Sequence, residues 1–188
     1  TKGWLRLTKT DRKNGNPVAG VTFDIYENDA YGNALVGSMT TDENGVAVSE
    51  PLRKGRYLVR EHGETAGYVF EEITLDATVK SDETTRLSAE NQMIQGKIRI
   101  VKTDSLTQEP LAGVQFTITR LSAPPSANGA GVGETILLTT NAQGAAETGW
   151  LEWGRYHIEE TAVPAHYVDA PFRTEIDCFE GGKTYEIA

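Results

Sequence analysis

Apolar and polar positions alternate along most of this chain. Leu5 and Leu7 share one phase, as do Val21, Phe23 and Ile25, then Tyr57 and Val59, and later Leu87 and Ala89. Residues two apart on an extended strand face the same side, so each set predicts a strand with one buried face. Turn chemistry punctuates these runs: Lys13-Asn14-Gly15-Asn16, Asp42-Glu43-Asn44-Gly45 and Gly181-Gly182. No segment sustains the 3.6-residue stripe of an amphipathic helix. The pattern predicts an all-β protein of short strands.

The pattern also repeats. Leu7-Thr8-Lys9-Thr10-Asp11 returns as Ile100-Val101-Lys102-Thr103-Asp104, and Pro17-Val18-Ala19-Gly20-Val21-Thr22-Phe23 as Pro110-Leu111-Ala112-Gly113-Val114-Gln115-Phe116, both displaced by 93 positions. Gly55-Arg56-Tyr57 returns as Gly154-Arg155-Tyr156, displaced by 99. The six extra residues fall in the Ser-, Pro-, Ala- and Gly-rich stretch Ser122 to Gly133, which reads as a lengthened loop. Two copies of one domain are expected, residues 1–93 and 94–188. Each is a small antiparallel β-sandwich or partly closed barrel of the Ig-like kind.

Composition narrows the function. The formal net charge of -9 argues against nucleic acid, which requires a basic footprint. The acidity is shared, with 11 basic and 15 acidic residues up to Met93 and 7 and 12 after it, as expected of a general solubilising surface. No apolar run approaches the roughly 18–20 residues of a spanning helix, so no membrane insertion is expected. The single cysteine, Cys178, excludes an intrachain disulfide. No signal peptide is read at the start, as suits either a cytosolic chain or a piece of a larger protein.

Three strand phases end on polar residues. Leu5 and Leu7 lead to Lys9, Tyr57 and Val59 to Glu61, and Leu87 and Ala89 to Asn91. The second copy repeats two of them: Ile98 and Ile100 lead to Lys102, and Tyr156 and Ile158 to Glu160. A strand end reaching water, or a buried Lys–Glu ion pair, would account for one such residue. Neither accounts well for the same phase in both copies, because burying charge costs several kcal/mol. A covalent explanation does. Apolar surroundings lower a lysine pKa and raise a glutamate pKa. A neutral Lys9 amine is a nucleophile. A protonated Glu61 can polarise the Asn91 carbonyl and shuttle protons while ammonia leaves. The product is a Lys9–Asn91 amide tying the first strand to the last.

These residues resemble a known family. Leu-Thr-Lys-Thr-Asp, Pro-Val-Ala-Gly-Val-Thr-Phe, Gly-Arg-Tyr-Leu-Val-Arg-Glu with a following Gly-Tyr, and a late Asn are similar to the Cna-B or SpaA-like domain, the repeated module of Gram-positive surface adhesins and pilins. The resemblance covers both copies. It implies a prealbumin-like β-sandwich, an extracellular bacterial cell-wall location, and an internal Lys–Asn isopeptide bond assisted by Glu. It places the lysine at Lys9 and Lys102, the catalytic acid at Glu61 and Glu160, and the acceptor at Asn91. Glu160 rather than Glu159 matches Glu61, because each precedes a tyrosine (Tyr68, Tyr167) by seven positions. The second acceptor is expected at position 190 by displacement, or 189 by alternation, past Ala188. Two departures stand out: His166 replaces Gly67 of the first copy, and Ala66-Gly67 stands where the family often has Pro-x-Gly.

Other constellations carry less. His62, His157 and His166 have no partner at zinc-ligand spacing. His62 and His157 are out of phase with the glutamates and read as surface residues. No nucleophile elbow is present. Asp42 to Gly45 lacks the alternating acids of a calcium loop. Cys178 continues the phase of Phe172, Thr174 and Ile176 and reads as a buried hydrophobe. Trp150 and Trp153 read as packing at a strand start rather than a ligand platform, and Ser122 to Gly133 as length variation rather than a partner-contact loop. No cofactor or metal is expected. The expected role is a structural stalk in a cell-wall-anchored adhesin or pilin, with neighbouring domains as partners and no turnover catalysis. The alternative is a module that binds a host extracellular ligand, and a third reading is an accessory domain of a carbohydrate-active enzyme. No Leu-Pro-x-Thr-Gly sorting motif occurs, so an anchor is expected outside these residues.

Overall fold

The computed structural model describes residues 1–30, 32–168 and 172–188. They form two compact units. The first comprises Thr1–Met93 with Pro125–Asn128, and the second Ile94–Pro124 with Gly129–Ala188.

The first unit contains β1 (Lys2–Asp11), β2 (Thr22–Asp29), β3 (Gly32–Thr40), β4 (Val46–Val48), β5 (Leu52–Arg53), β6 (Gly55–Glu61), β7 (Thr74–Val79) and β8 (Thr84–Asn91). One sheet has the order β3-β2-β6-β7; in the other, β1 pairs with β4, β5 and β8. The faces are those the alternation predicts. Leu5, Leu7, Phe23, Ile25, Tyr57 and Val59 are buried and form the core between the sheets. All pairing is antiparallel except that of β1 with β8, the first strand with the last. A parallel neighbour needs a long crossover, and here the whole intervening domain supplies it.

The second unit repeats the plan with β9 (Gln95–Val101), β10 (Gln115–Arg120), β11 (Thr135–Thr139), β12 (Ala145–Glu147), β13 (Leu151–Glu152), β14 (Gly154–Ala162), β15 (Arg173–Cys178) and β16 (Thr184–Ile187). One sheet runs β11-β10-β14-β15; in the other, β9 pairs with β12, β13 and, in parallel, β16. Ile98, Ile100, Phe116, Ile118, Ile158 and Cys178 fill its core. The lengthened loop includes a 3-10 turn, Pro125–Ala127. Buried Arg120, at the base of that loop, donates to the carbonyls of Ser122, Ala130 and Trp153 and to Glu152. Local hydrogen bonds repeat as well. The Thr41 and Thr140 hydroxyls each bridge one backbone carbonyl and one backbone N–H, and the Tyr57 and Tyr156 hydroxyls each donate to a carbonyl four residues back.

Turn glycines bring two strands close to the first lysine. Gly45 has φ +69°, and a Cβ there would sit 2.4 Å from the Lys9 carbonyl oxygen. The close approach lets the Lys9 N–H donate to the Gly45 carbonyl at 2.7 Å. Glycine is the residue that permits both the left-handed conformation and this contact. His166 adopts φ 83°, the same value as Gly67 of the first copy. That side chain therefore sits in a backbone region that non-glycine residues seldom occupy.

Candidate functional site

The first site is built from three strand ends. Lys9 lies near the end of β1, Glu61 closes β6, and Asn91 closes β8. In the β1–β8 ladder Lys9 stands opposite Ala89, and Asp11 opposite Asn91. Lys9 is 0% exposed and among the largest fully buried side chains of the described residues; Asn91 is buried beside it. The Glu61 side chain is 3% exposed.

The three groups touch one another. Lys9 Nζ donates to Glu61 Oε2 at 2.8 Å and also to Asn91 Oδ1. Asn91 Nδ2 donates to Glu61 Oε1 at 3.4 Å and to the Val69 carbonyl at 3.5 Å. The Thr65 hydroxyl donates to Glu61 Oε1 at 3.2 Å. The Glu61 carboxyl thus bridges the lysine amine and the asparagine amide nitrogen, with one oxygen on each. The sequence suggests contact with the amide oxygen instead, but Lys9 occupies that side.

Burial pushes the Lys9 pKa below the ordinary lysine value, because desolvation outweighs the opposing pull of the Glu61 hydrogen bond and charge. Glu71 also favours the charged amine, whereas Arg12 opposes it. The Phe23 ring lies with its centroid 5.7 Å from Nζ. Asp11, next on the same strand face, is buried as well. Its Oδ1 accepts the N–H groups of Lys13 and Asn14 to shape the following turn, while its Oδ2 has no hydrogen-bond partner.

The second site is more open. Lys102 lies just past the end of β9, and its side chain is 30% exposed. Its Nζ donates to the buried Glu160 at 2.8 Å. Glu159 faces the other way and pairs with Arg173 at 2.7 Å. In the β9–β16 ladder Ile100 stands opposite Ile187, so position 189 would face Lys102. Asn91 stands two positions beyond the residue facing Lys9, which makes the corresponding position 191 rather than 190 or 189. The connection from β15 to β16, Phe179 to Lys183, is one residue longer than Lys80 to Glu83 in the first unit, and this moves the register.

The remaining sequence candidates are placed as follows. His62 is exposed and pairs with Asp24 at 2.7 Å, and His157 is partly exposed near Glu159. Cys178 is buried, and desolvation raises its pKa to about 11, so it is a poor nucleophile at neutral pH. Trp153 stacks on Phe179 with centroids 4.2 Å apart, and Lys97 Nζ lies 5.0 Å from the Trp150 ring centroid. Among the described residues no cluster of three or more His, Cys, Asp or Glu is arranged to hold a metal, and no helix is long and apolar enough to cross a membrane. One feature around the first site has no signal in the alternation: a bidentate ion pair between Arg12 and Glu71, with N···O distances of 3.1 and 2.6 Å.

Comparison with known proteins agrees with this architecture. The Bacillus anthracis TIE protein superposes with a TM-score of 0.74 at 25% identity over 100% of this chain, and the chain spans 33% of that protein. A Streptococcal ancillary pilin is similar at 21% identity and TM-score 0.45, over 98% of this chain and 61% of the pilin. The shaft pilin SpaA from Lactobacillus rhamnosus GG is similar at 20% identity and TM-score 0.42, over 99% and 97%. No curated protein sequence matches the chain. The family model described as SpaA, prealbumin-like fold domain, matches residues 3–93 and again residues 96–187. The chain belongs to the SpaA prealbumin-like fold family and carries that domain twice in tandem.

Proposed function

We propose that the two domains are stalk modules of a cell-wall-anchored surface protein, of the adhesin or pilin type, in a Gram-positive bacterium. The first domain is locked by a self-formed isopeptide bond between Lys9 and Asn91. The observation that carries this reading is the meeting of Lys9, Glu61 and Asn91 inside the first domain. Family membership supports the stalk role.

The chemistry follows from the contacts. Burial favours the free amine on Lys9, and the reaction draws its acid proton from the Lys9–Glu61 pair through the carboxyl. The Lys9 Nζ lone pair attacks Asn91 Cγ and forms the new C–N bond. Glu61 Oε1 delivers its proton to Nδ2 as the old C–N bond breaks, and ammonia leaves. Glu61 Oε2 takes the surplus proton from Nζ. Glu61 ends as it began, and the site is neutral before and after, so no net charge is buried. Holding the reactants in contact removes the entropic cost of their meeting. The event occurs once per domain, and the domain is not a turnover enzyme.

The bond suits a stalk. β1 and β8 are parallel neighbours, so tension applied at residue 1 and beyond residue 91 loads their ladder in shear. A Lys9–Asn91 amide carries that load covalently and bypasses the strands between. Its partners in this role are the neighbouring domains of the longer protein. Host-ligand binding is the less favoured reading, because Trp153 is stacked on Phe179 rather than presented beside the half-exposed Trp150. Single-molecule pulling tests the stalk reading. The 82 positions between Lys9 and Asn91 should withhold roughly 280 Å of contour length. Full extension of both domains would remove it.

A further inference from the structure

Arg12 follows β1 directly and is held at both ends. Its backbone N–H donates to the Asn91 carbonyl at 2.9 Å. Its guanidinium grips Glu71, which lies in the loop between β6 and β7. That loop also supplies the Thr65 hydroxyl to Glu61 and the Val69 carbonyl to the Asn91 amide. The Val69 N–H donates to the Gln92 carbonyl, and Tyr68 bridges to Met93, so the loop lies along the chain that carries the acceptor.

The second copy serves as an internal comparison. By the same displacements Ser105 replaces Arg12, Pro164 replaces Thr65 and Ala170 replaces Glu71. Neither the ion pair nor the hydroxyl contact can form from those residue types. There Lys102 opens on a cavity of about 390 Å³ lined by Ser105, Leu106, His166, Tyr167 and Val168 among others. The larger opening is on the loop side. Lys102 also lines a smaller cavity of about 70 Å³ beside Ile187 and Ala188 at the end of β16.

We propose that the Arg12–Glu71 ion pair is a positioning clamp that fastens the β6–β7 loop over the first site, aligning Glu61 and the Asn91 amide with Lys9 before the bond forms. The proposal rests on the isopeptide reading. Exposed ion pairs contribute little to global stability, so the effect should fall on the rate of cross-linking rather than on the fold. The two partners should also differ. Glu71 favours the charged Lys9 amine and Arg12 disfavours it. Losing Arg12 therefore frees the loop and leaves a charge that favours the protonated nucleophile, whereas losing Glu71 frees the loop but removes that charge.

The test uses the full 188-residue chain, made in a short pulse of cell-free synthesis, chased, quenched in denaturant and weighed. Wild type should lose ammonia, and Arg12→Ala should do so about 1.5- to fivefold more slowly, the scale of one surface ion pair. Glu71→Gln should be slowed less, and the double exchange Arg12→Glu with Glu71→Arg should recover most of the rate. Salt near 1 M should slow wild type but not Arg12→Ala. A purely structural clamp would slow the two single variants equally. Far-UV circular dichroism checks folding; should Arg12→Ala fail to fold, Glu71→Gln and the salt series carry the test. Equal rates for wild type and the single variants, or an exchange variant as slow as Arg12→Ala, overturn the clamp. A wild type that never loses ammonia overturns the isopeptide reading itself, and the clamp with it.

Discussion

Lys9 and Asn91 are 82 positions apart in the chain, yet their side chains are hydrogen-bonded to each other in the interior of the first domain. Parallel pairing of the first and last strands brings them there, and Glu61 reaches both from the facing sheet. A buried lysine stem, a carboxyl and a carboxamide form a costly group to enclose unless they react or satisfy one another.

Replacing Glu61 separates folding from chemistry. The apolar faces of the strands hold the domain together, so Glu61→Gln should fold, with unchanged far-UV circular dichroism. It should retain its full sequence mass, because nothing then relays the proton from Nζ to the departing nitrogen. Complete cross-linking in Glu61→Gln would take Glu61 out of the mechanism.

The bond should dominate the stability of the first domain. On the chain-entropy account of cross-links, closing a loop of this length contributes about 4–5 kcal/mol. For a domain of this size that corresponds to roughly 20–30 °C in melting temperature. Limited proteolysis during heating should therefore cut the second domain well before the first. In Glu61→Gln the two should be cut at similar temperatures.

Stability of an unbonded domain should depend on pH through Lys9. In Asn91→Ala no amide can form, while the contact with Glu61 is kept. The folded-state pKa of Lys9 is depressed by burial, so between that value and the ordinary lysine value near 10.5 the unfolded chain binds the extra proton. Stability then rises with pH through this window and is lowest below it. Glu61, Glu71 and Arg12 are the charged groups that act on Lys9. Urea unfolding of Asn91→Ala between pH 7 and 10, compared with Lys9→Met/Asn91→Ala, isolates the lysine. A parallel pH response in the two proteins would show that Lys9 is not the titrating group.

Gly45 should matter more than its place in a turn suggests. An added Cβ meets the Lys9 carbonyl oxygen at 2.4 Å and inherits a φ of +69°. Gly45→Ala in the Glu61→Gln background should lose about 2 kcal/mol or more. Gly15 has a similar φ of +73° but open space around it, so Gly15→Ala should cost only the backbone strain of about 1 kcal/mol. Equal losses in urea titrations would place the whole effect in φ.

Much of this was legible in the chain because strand phase is simple. Period-two alternation puts Leu5, Leu7 and Lys9 on one face whichever strand lies beside them, and the repeat marks Lys102 and Glu160 by the same phase. Pairing direction leaves no trace in that alternation, so the parallel β1–β8 ladder was not legible. Nor was the Arg12–Glu71 pair, which joins two surface charges 59 positions apart through loop geometry alone. The shift of the second acceptor position to 191 comes from one added residue in the β15–β16 connection, which counting displacements from distant motifs does not register.

The central claim is that Lys9 and Asn91 are joined by an amide, and intact mass tests it most directly. The 188-residue chain should weigh one ammonia less than its sequence requires, and peptide mapping should place the link between Lys9 and Asn91. The second domain should contribute no loss, because position 191, the register equivalent of Asn91, lies outside these residues. A protein of unmodified sequence mass, with Lys9 and Asn91 recovered in separate peptides, would contradict the account.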